Sequence, residues 1–255
     1  MAVFKTMPAK VKVLSPGYLS AEHRGKVSAT ISLVQDNAMV MIVDPGFLED
    51  EKILVDKLKE EGLFVDDVTV VCITHSHIDH YKNVGMFSKA KILDYAGLWN
   101  QEGGMEDWQE RFTENIQIIK TPGHDYTSLT LFVKTDDGVV AICGDVFWKE
   151  NYPEVDPYAS DLKKLDQSRK LVVQMSQWII PGHGSMYKTH NVSAKWTPAP
   201  LSWVANRIVK VLVRCKKCHR PFLKAEDRCI CQEWLCYNCC ECEDDCEQCN
   251  CSHKR

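Results

Sequence analysis

Residues Val68-Thr69-Val70-Val71-Cys72-Ile73-Thr74 form an unbroken apolar or β-branched run that passes directly into His75-Ser76-His77-Ile78-Asp79-His80. Such a run predicts a strand buried on both faces, as in a sheet covered on each side. Three imidazoles and a carboxylate crowded just past its C-terminal end predict a metal site on a rigid platform.

Other segments predict the elements around that strand. Strands are expected at Lys10 to Ser15, Ala29 to Val34 and Ala38 to Val43, the last closed by the turn Asp44-Pro45-Gly46. Asp50 to Glu61 has the spacing of an amphipathic helix ended by Gly62. A short helix is expected from Asn83 to Ser88 and a short strand from Lys91 to Asp94. Gly97 to Asp107 is expected to be a loop. Strands follow at Asn115 to Lys120, Leu129 to Thr135 and Val139 to Cys143, the last two joined by Asp136-Asp137-Gly138. Asp161 to Gln177 is expected to be helical, Trp178 to Ile180 a short strand, and Leu201 to Arg214 an amphipathic helix. Two sheets with helices outside fit this order.

Three further strand ends present a metal donor in a turn: His124 in Thr121-Pro122-Gly123-His124, Asp145 after Gly144, and His183 in Pro181-Gly182-His183-Gly184. A lone histidine after Pro-Gly is usually a turn residue, and a lone aspartate after glycine usually a helix cap. Together with His75, His77, Asp79 and His80, however, they make seven donors, enough for two ions. Imidazole with carboxylate suits zinc first, with iron or manganese on the same ligands. In strand geometry His75 and His77 point the same way, while Asp79 and His80 turn aside as the chain bends.

The motif Thr74-His75-Ser76-His77-Ile78-Asp79-His80 resembles the signature of the metallo-β-lactamase-fold hydrolases, whose later ligand motifs match His124, Asp145 and His183 in order. The resemblance spans roughly residues 10 to 195 and implies an α/β fold, an αβ/βα four-layer sandwich. It implies His75, His77 and His124 on one ion, Asp79, His80 and His183 on the other, and Asp145 bridging both. Asp79 and Asp145 would then be the catalytic carboxylates, Asp79 also orienting a water shared by ions about 3.5–4 Å apart. A bridging aspartate points to the glyoxalase-II-like and nuclease branches. His80 to Phe87, Gly144-Asp145-Val146-Phe147 and Gln167-Ser168-Arg169-Lys170 resemble a family member whose implied activity is endoribonucleolytic cleavage of histone pre-mRNA 3′ ends, with a homodimer implied as well. The 37 residues between Asp145 and His183 leave no room for the cap domain of the β-CASP nucleases. Nor does a glyoxalase-II helical region with glutathione-binding cations follow. The rival substrate is a small thioester or ester, and a non-catalytic adaptor is a third reading. His190 is a candidate acid, with a surface role favoured.

Of the 13 cysteines, 11 lie between Cys215 and Cys251, so a boundary is expected near residue 205: a catalytic domain over 1–205 and a Cys-rich module over 206–255. Four close pairs stand out there: Cys215 with Cys218, Cys229 with Cys231, Cys236 with Cys239, and Cys246 with Cys249. They read as ligands of two structural zinc ions. A disulfide framework or a metal-buffering tail is the competing explanation; an odd count and no apolar h-region in Met1 to Pro8 disfavour disulfides. An intracellular setting is expected, in the cytoplasm with the nucleus also open, and without a membrane span. The net charge of −4 gives no global attraction to nucleic acid. Arg207, Lys210, Arg214, Lys216 and Lys217 could contact an RNA backbone, and Trp196, Trp203 and Trp234 its bases, although a solvated helix face and packing explain both groups well. The module could also dock a protein partner.

Overall fold

The computed structural model describes residues 7–189 and, beyond them, 212–214, 221–225 and 228–229. The chain divides into two compact units, Met1–Pro198 and Ala199–Arg255.

In the first unit the period-2 segments become β1 (Lys10–Ser15), β2 (Ile31–Asp36) and β3 (Met39–Val43), an antiparallel meander. The helix α1 (Lys52–Glu60) buries Leu54 and Leu58 and ends at Gly62, whose φ of +73° suits the left-handed residue that closes a helix. β4 (Val70–Cys72) then adds in parallel to β3, and β5 (Lys91–Leu93) in parallel to β4. Between them lie α2 (Ile78–Tyr81) and a 3-10 turn over Lys82–Met86. The expected loop over Gly97 to Asp107 instead holds two two-residue strands, β6 (Leu98–Trp99) and β7 (Met105–Glu106), which complete a seven-stranded sheet in the order β1 to β7.

The second sheet contains β8 (Ile116–Lys120), β9 (Leu129–Thr135), β10 (Gly138–Ile142), β11 (Trp178–Ile180) and β12 (Tyr187–Lys188), in the order β12-β11-β10-β9-β8. Its crossover between β10 and β11 carries α3 (Leu162–Met175), capped by the Asp161 side chain, which accepts from Lys164 N at 3.0 Å.

Three apolar clusters set the layers. Val34, Met41, Val43 and Cys72 of the first sheet meet Ile118, Leu131, Val133 and Ile142 of the second. Leu33, Ile42 and Val71 face Leu54 and Leu58 of α1 on the outer side. Phe132, Ala141 and Ile179 face Leu165 and Val172 of α3. The result is the expected αβ/βα four-layer sandwich. Leu129 N donates to Thr74 O at 2.9 Å, so the start of β9 meets the end of β4. That contact brings the C-terminal ends of β4, β8, β10 and β11 to one edge.

In the second unit β13 (Leu212–Arg214), β14 (Pro221–Ala225) and β15 (Arg228–Cys229) pair as an antiparallel sheet. This corrects the expected helix over Leu201 to Arg214 at its last three residues: a short apolar run does not distinguish helix from strand. Residues 201–211 of that expectation lie outside the described residues. So do His190, Trp196, Trp203, Trp234 and the basic positions Arg207, Lys210, Lys216 and Lys217. Of the eight cysteines expected to hold structural zinc, Cys229 alone is described, as a residue of β15. Cys215, Cys218, Cys231, Cys236, Cys239, Cys246 and Cys249 lie outside the described residues, and the expected zinc pairing with them.

Candidate metal centre

The edge where the strands end gathers all seven donors. β4 stops at Cys72, so His75 and His77 lie on the chain just past it and Asp79 and His80 in the first turn of α2. His124 follows β8, Asp145 sits in a 3-10 turn after β10, and His183 follows β11.

Two groups form. His75, His77, His124 and Asp145 offer donor atoms within 4.8 Å of one another, and so do Asp79, His80 and His183. His77 Nδ1 lies 3.0 Å from His75 Nε2 and 3.1 Å from His124 Nε2. Asp145 stands between the groups, with Oδ2 3.4 Å from His124 Nε2 and Oδ1 3.4 Å from His80 Nε2 and 3.3 Å from His183 Nε2. Asp79 Oδ2 is 3.5 Å from His183 Nε2 and 3.8 Å from His80 Nε2.

Two glycines make that placement sterically open. A Cβ on Gly182 would lie 1.8 Å from Asp145 Oδ1, inside the carboxylate. Gly144, at φ +51°, would press a Cβ to 2.3 Å from Thr74 Oγ1.

Each of three imidazoles is oriented through its other nitrogen, a support that fixes which nitrogen faces the site. His80 Nδ1 contacts Asp44 Oδ2 at 2.8 Å, His124 Nδ1 contacts Asp156 Oδ2 at 2.6 Å, and His183 Nδ1 donates to Ser28 O at 3.0 Å. Asp44 is itself held by the Thr74 backbone N at 2.8 Å and by Thr74 Oγ1 at 2.7 Å. Asp44 and Asp156 are not among the sequence candidates. Asp44 reads as a turn residue, although its position at the end of the strand parallel to β4 is an available signal. Asp156 lies where no periodicity marks it.

Burial sets the electrostatics. Burial pushes the His75 imidazole well down, and the neighbouring His80 adds to it. It lowers His77 as well, with His124 second. For His80 the same burial is outweighed by Asp44 and Asp145, which hold it well above its ordinary value. Asp145 raises His183 in the same way. Burial would raise Asp145, but His183 and His80 hold it well below the usual carboxylate range. His80 Nε2 and Asp145 Oδ1 are buried without a hydrogen-bond partner. Orphaned polar atoms of this kind are costly, and here they face each other within a set of imidazole and carboxylate donors. That arrangement fits divalent ions. His77 and Asp79 are only half-buried, so the centre opens to solvent on their side.

Two further side chains lie on the segments that end β8 or follow β10. Lys120, exposed at the end of β8, has its Nζ 3.7 Å from the Tyr95 ring centroid and 5.6 Å from that of Trp108, and it pairs with no carboxylate among the described residues. Trp148 stands edge-on to His124, their ring centroids 6.1 Å apart.

A model of the metallo-beta-lactamase superfamily matches residues 24–103. The chain is similar to metallo-beta-lactamase domain-containing protein 1 of Xenopus laevis, 30% identical over 193 residues, covering 71% of this chain and 82% of that one. It is 29% identical over 174 residues to the Homo sapiens protein of the same name, and covers 65% of each; the chain thus spans just under two thirds of that relative. Among solved structures, a Thermotoga maritima protein assigned to the metallo-beta-lactamases superposes with a TM-score of 0.56 at 22% identity, covering 71% of this chain and 99% of that one. An N-acyl homoserine lactone hydrolase with the product N-hexanoyl-L-homoserine at its catalytic metal centre superposes at 0.52 and 20% identity, covering 70% and 93%.

Proposed function

The chain belongs to the metallo-beta-lactamase superfamily, and from that membership we propose that this metal-dependent hydrolase acts on phosphodiester bonds of RNA through two divalent ions. The observation that carries the two-ion reading is the position of Asp145, with one carboxylate oxygen toward each donor group. His75, His77 and His124 would hold one ion, Asp79, His80 and His183 the other, and Asp145 both. Zinc suits this donor set first.

Bound ions would supply a water acidic enough to ionise near neutral pH and a pull on the substrate's phosphoryl oxygen. The chain's own part is orientation. Asp44, Asp156 and the Ser28 carbonyl fix three imidazole rings before substrate arrives, so no reorganisation is needed at the moment of reaction. Asp79, the donor carboxylate with access to solvent, would help hold an ion through Oδ2 and orient the attacking water beside it. Lys120, at the end of β8, offers a positive charge suited to a substrate phosphate.

The RNA reading is supported by the resemblance of the His80 to Phe87 and Gly144 to Phe147 stretches to a pre-mRNA-cleaving member of the family. A second reading, hydrolysis of a lactone or thioester, is favoured by the likeness to N-acyl homoserine lactonase of Bacillus thuringiensis, 25% identical over 162 residues. The Cys-rich module over 206–255 would bind structural zinc through Cys215, Cys218, Cys229, Cys231, Cys236, Cys239, Cys246 and Cys249, and could engage a protein partner. Assays of the full chain on single-stranded RNA, lactones and thioesters, each with chelator and with Asp145→Asn as controls, separate the readings. Metal-dependent RNA cleavage lost in the variant is expected. Turnover of esters with intact RNA would replace the first reading by the second.

A further inference from the structure

The segment between Trp148 and Asp161 is fastened to the metal centre rather than merely near it. Asp156 Oδ2 contacts His124 Nδ1 at 2.6 Å, Ser160 N donates to His124 O at 3.0 Å, and Asp161 N donates to Gly123 O at 2.9 Å. Tyr158 lies between these anchors, its own N donating to Asp156 Oδ1 at 2.9 Å. Its backbone is therefore held by the same segment that holds His124.

That ring has one covered face and one free face. It stacks on Trp148 with centroids 5.7 Å apart and planes 20° apart, while Trp148 itself is 8% exposed and edge-on to His124. Tyr158 is 72% exposed. Tyr152 leans on Trp148 as well, centroids 5.9 Å apart at 64°. A lone exposed tyrosine needs no explanation. An exposed tyrosine backed by a buried tryptophan that stands edge-on to a candidate metal ligand is different, because the stack leaves its other face turned to solvent. A flexible acyl chain would need an enclosing apolar channel. A flat, open aromatic face instead suits another flat ring, since stacking needs one face and tolerates any base.

We propose that the exposed face of Tyr158, backed by Trp148 beside His124, is the subsite that stacks a nucleobase flanking the scissile phosphodiester. This rests on the RNA reading above and specifies which part of the substrate the centre's border recognises.

The test uses the full, metal-loaded chain and a set of short single-stranded RNAs in which one abasic nucleotide is moved stepwise past the cleavage position. Tyr158→Ala is expected to raise KM about ten-fold, the order of one lost base–aromatic stack, with kcat changed less than two-fold. Tyr158→Trp is expected to restore KM. One abasic position is expected to raise KM for the wild type by a similar factor and to have no further effect in Tyr158→Ala. Equal abasic penalties in both proteins would overturn the subsite, and so would a fall in kcat with unchanged KM, which marks a structural role. If the wild type cleaves RNA and Tyr158→Ala is indistinguishable from it, only the subsite falls. If the wild type hydrolyses thioesters and leaves RNA intact, the RNA reading falls and the nucleobase with it.

Discussion

Asp44 Oδ2 and His80 Nδ1 lie 2.8 Å apart, both buried, Asp44 at the end of β3 and His80 in α2 beyond the parallel strand β4. The same carboxylate accepts from the Thr74 backbone and hydroxyl, so it fastens the residue before His75 as well as His80.

Asp44→Ala removes one partner from three buried groups at once. Metal affinity at the Asp79, His80 and His183 group is expected to fall ~10- to 100-fold, the range for lost outer-shell support. Stability of the metal-free chain is expected to fall by about 1–3 kcal/mol. Isothermal titration with zinc and chemical denaturation measure the two. Unchanged affinity would show that His80 orients itself.

Metal uptake is expected to release protons. His80 and His183 hold theirs above the ordinary histidine range because Asp44 and Asp145 outweigh burial for the first, and Asp145 for the second. In the metal-free chain these pairs stabilise the fold fully below about pH 6.5, and that contribution is lost as pH rises through the raised values. An ion must displace the protons, so affinity rises with pH. His75, pushed down by burial, releases none. Titrations at pH 7 in buffers of different ionisation enthalpy measure the release; none would contradict the assignment.

Gly182→Ala places a methyl within 1.8 Å of Asp145 Oδ1. The carboxylate must move, and both groups lose it. Activity is expected to drop at least ~100-fold, the scale of a lost precise placement. Circular dichroism should stay near that of the wild type, because Gly182 is not at positive φ. A fully active variant would show that Asp145 is not needed where it stands.

Cys72 and Cys143 are buried free thiols in the first unit. Burial pushes Cys143 up to about 12 and Cys72 well above its ordinary value. The native chain at pH 8 is expected to leave both unmodified by iodoacetamide, with denaturant exposing them. Mass-spectrometric mapping decides; rapid native labelling at either would show an open core.

The donors were legible because four of the seven lie within the six residues His75 to His80, directly after an apolar run. His124, Asp145 and His183 stand singly at other strand ends, each marked by the glycine before it. Their supports were not legible. Asp44 and His80 are 36 residues apart and His124 and Asp156 32 apart, and each pair meets only through strand order and crossover. β6 and β7, at two residues each, are too short to show alternation. At Leu212 to Arg214 the local pattern fitted a helix, and pairing with β14 prevailed.

In the two-ion reading one carboxylate, Asp145, joins both ion sites. Anomalous X-ray diffraction from crystals of the zinc-loaded chain tests it most directly. Two peaks are expected at this edge, one among His75, His77 and His124 and one among Asp79, His80 and His183, with Asp145 contributing an oxygen to each. A single peak, or two peaks with Asp145 bound to neither, would contradict it.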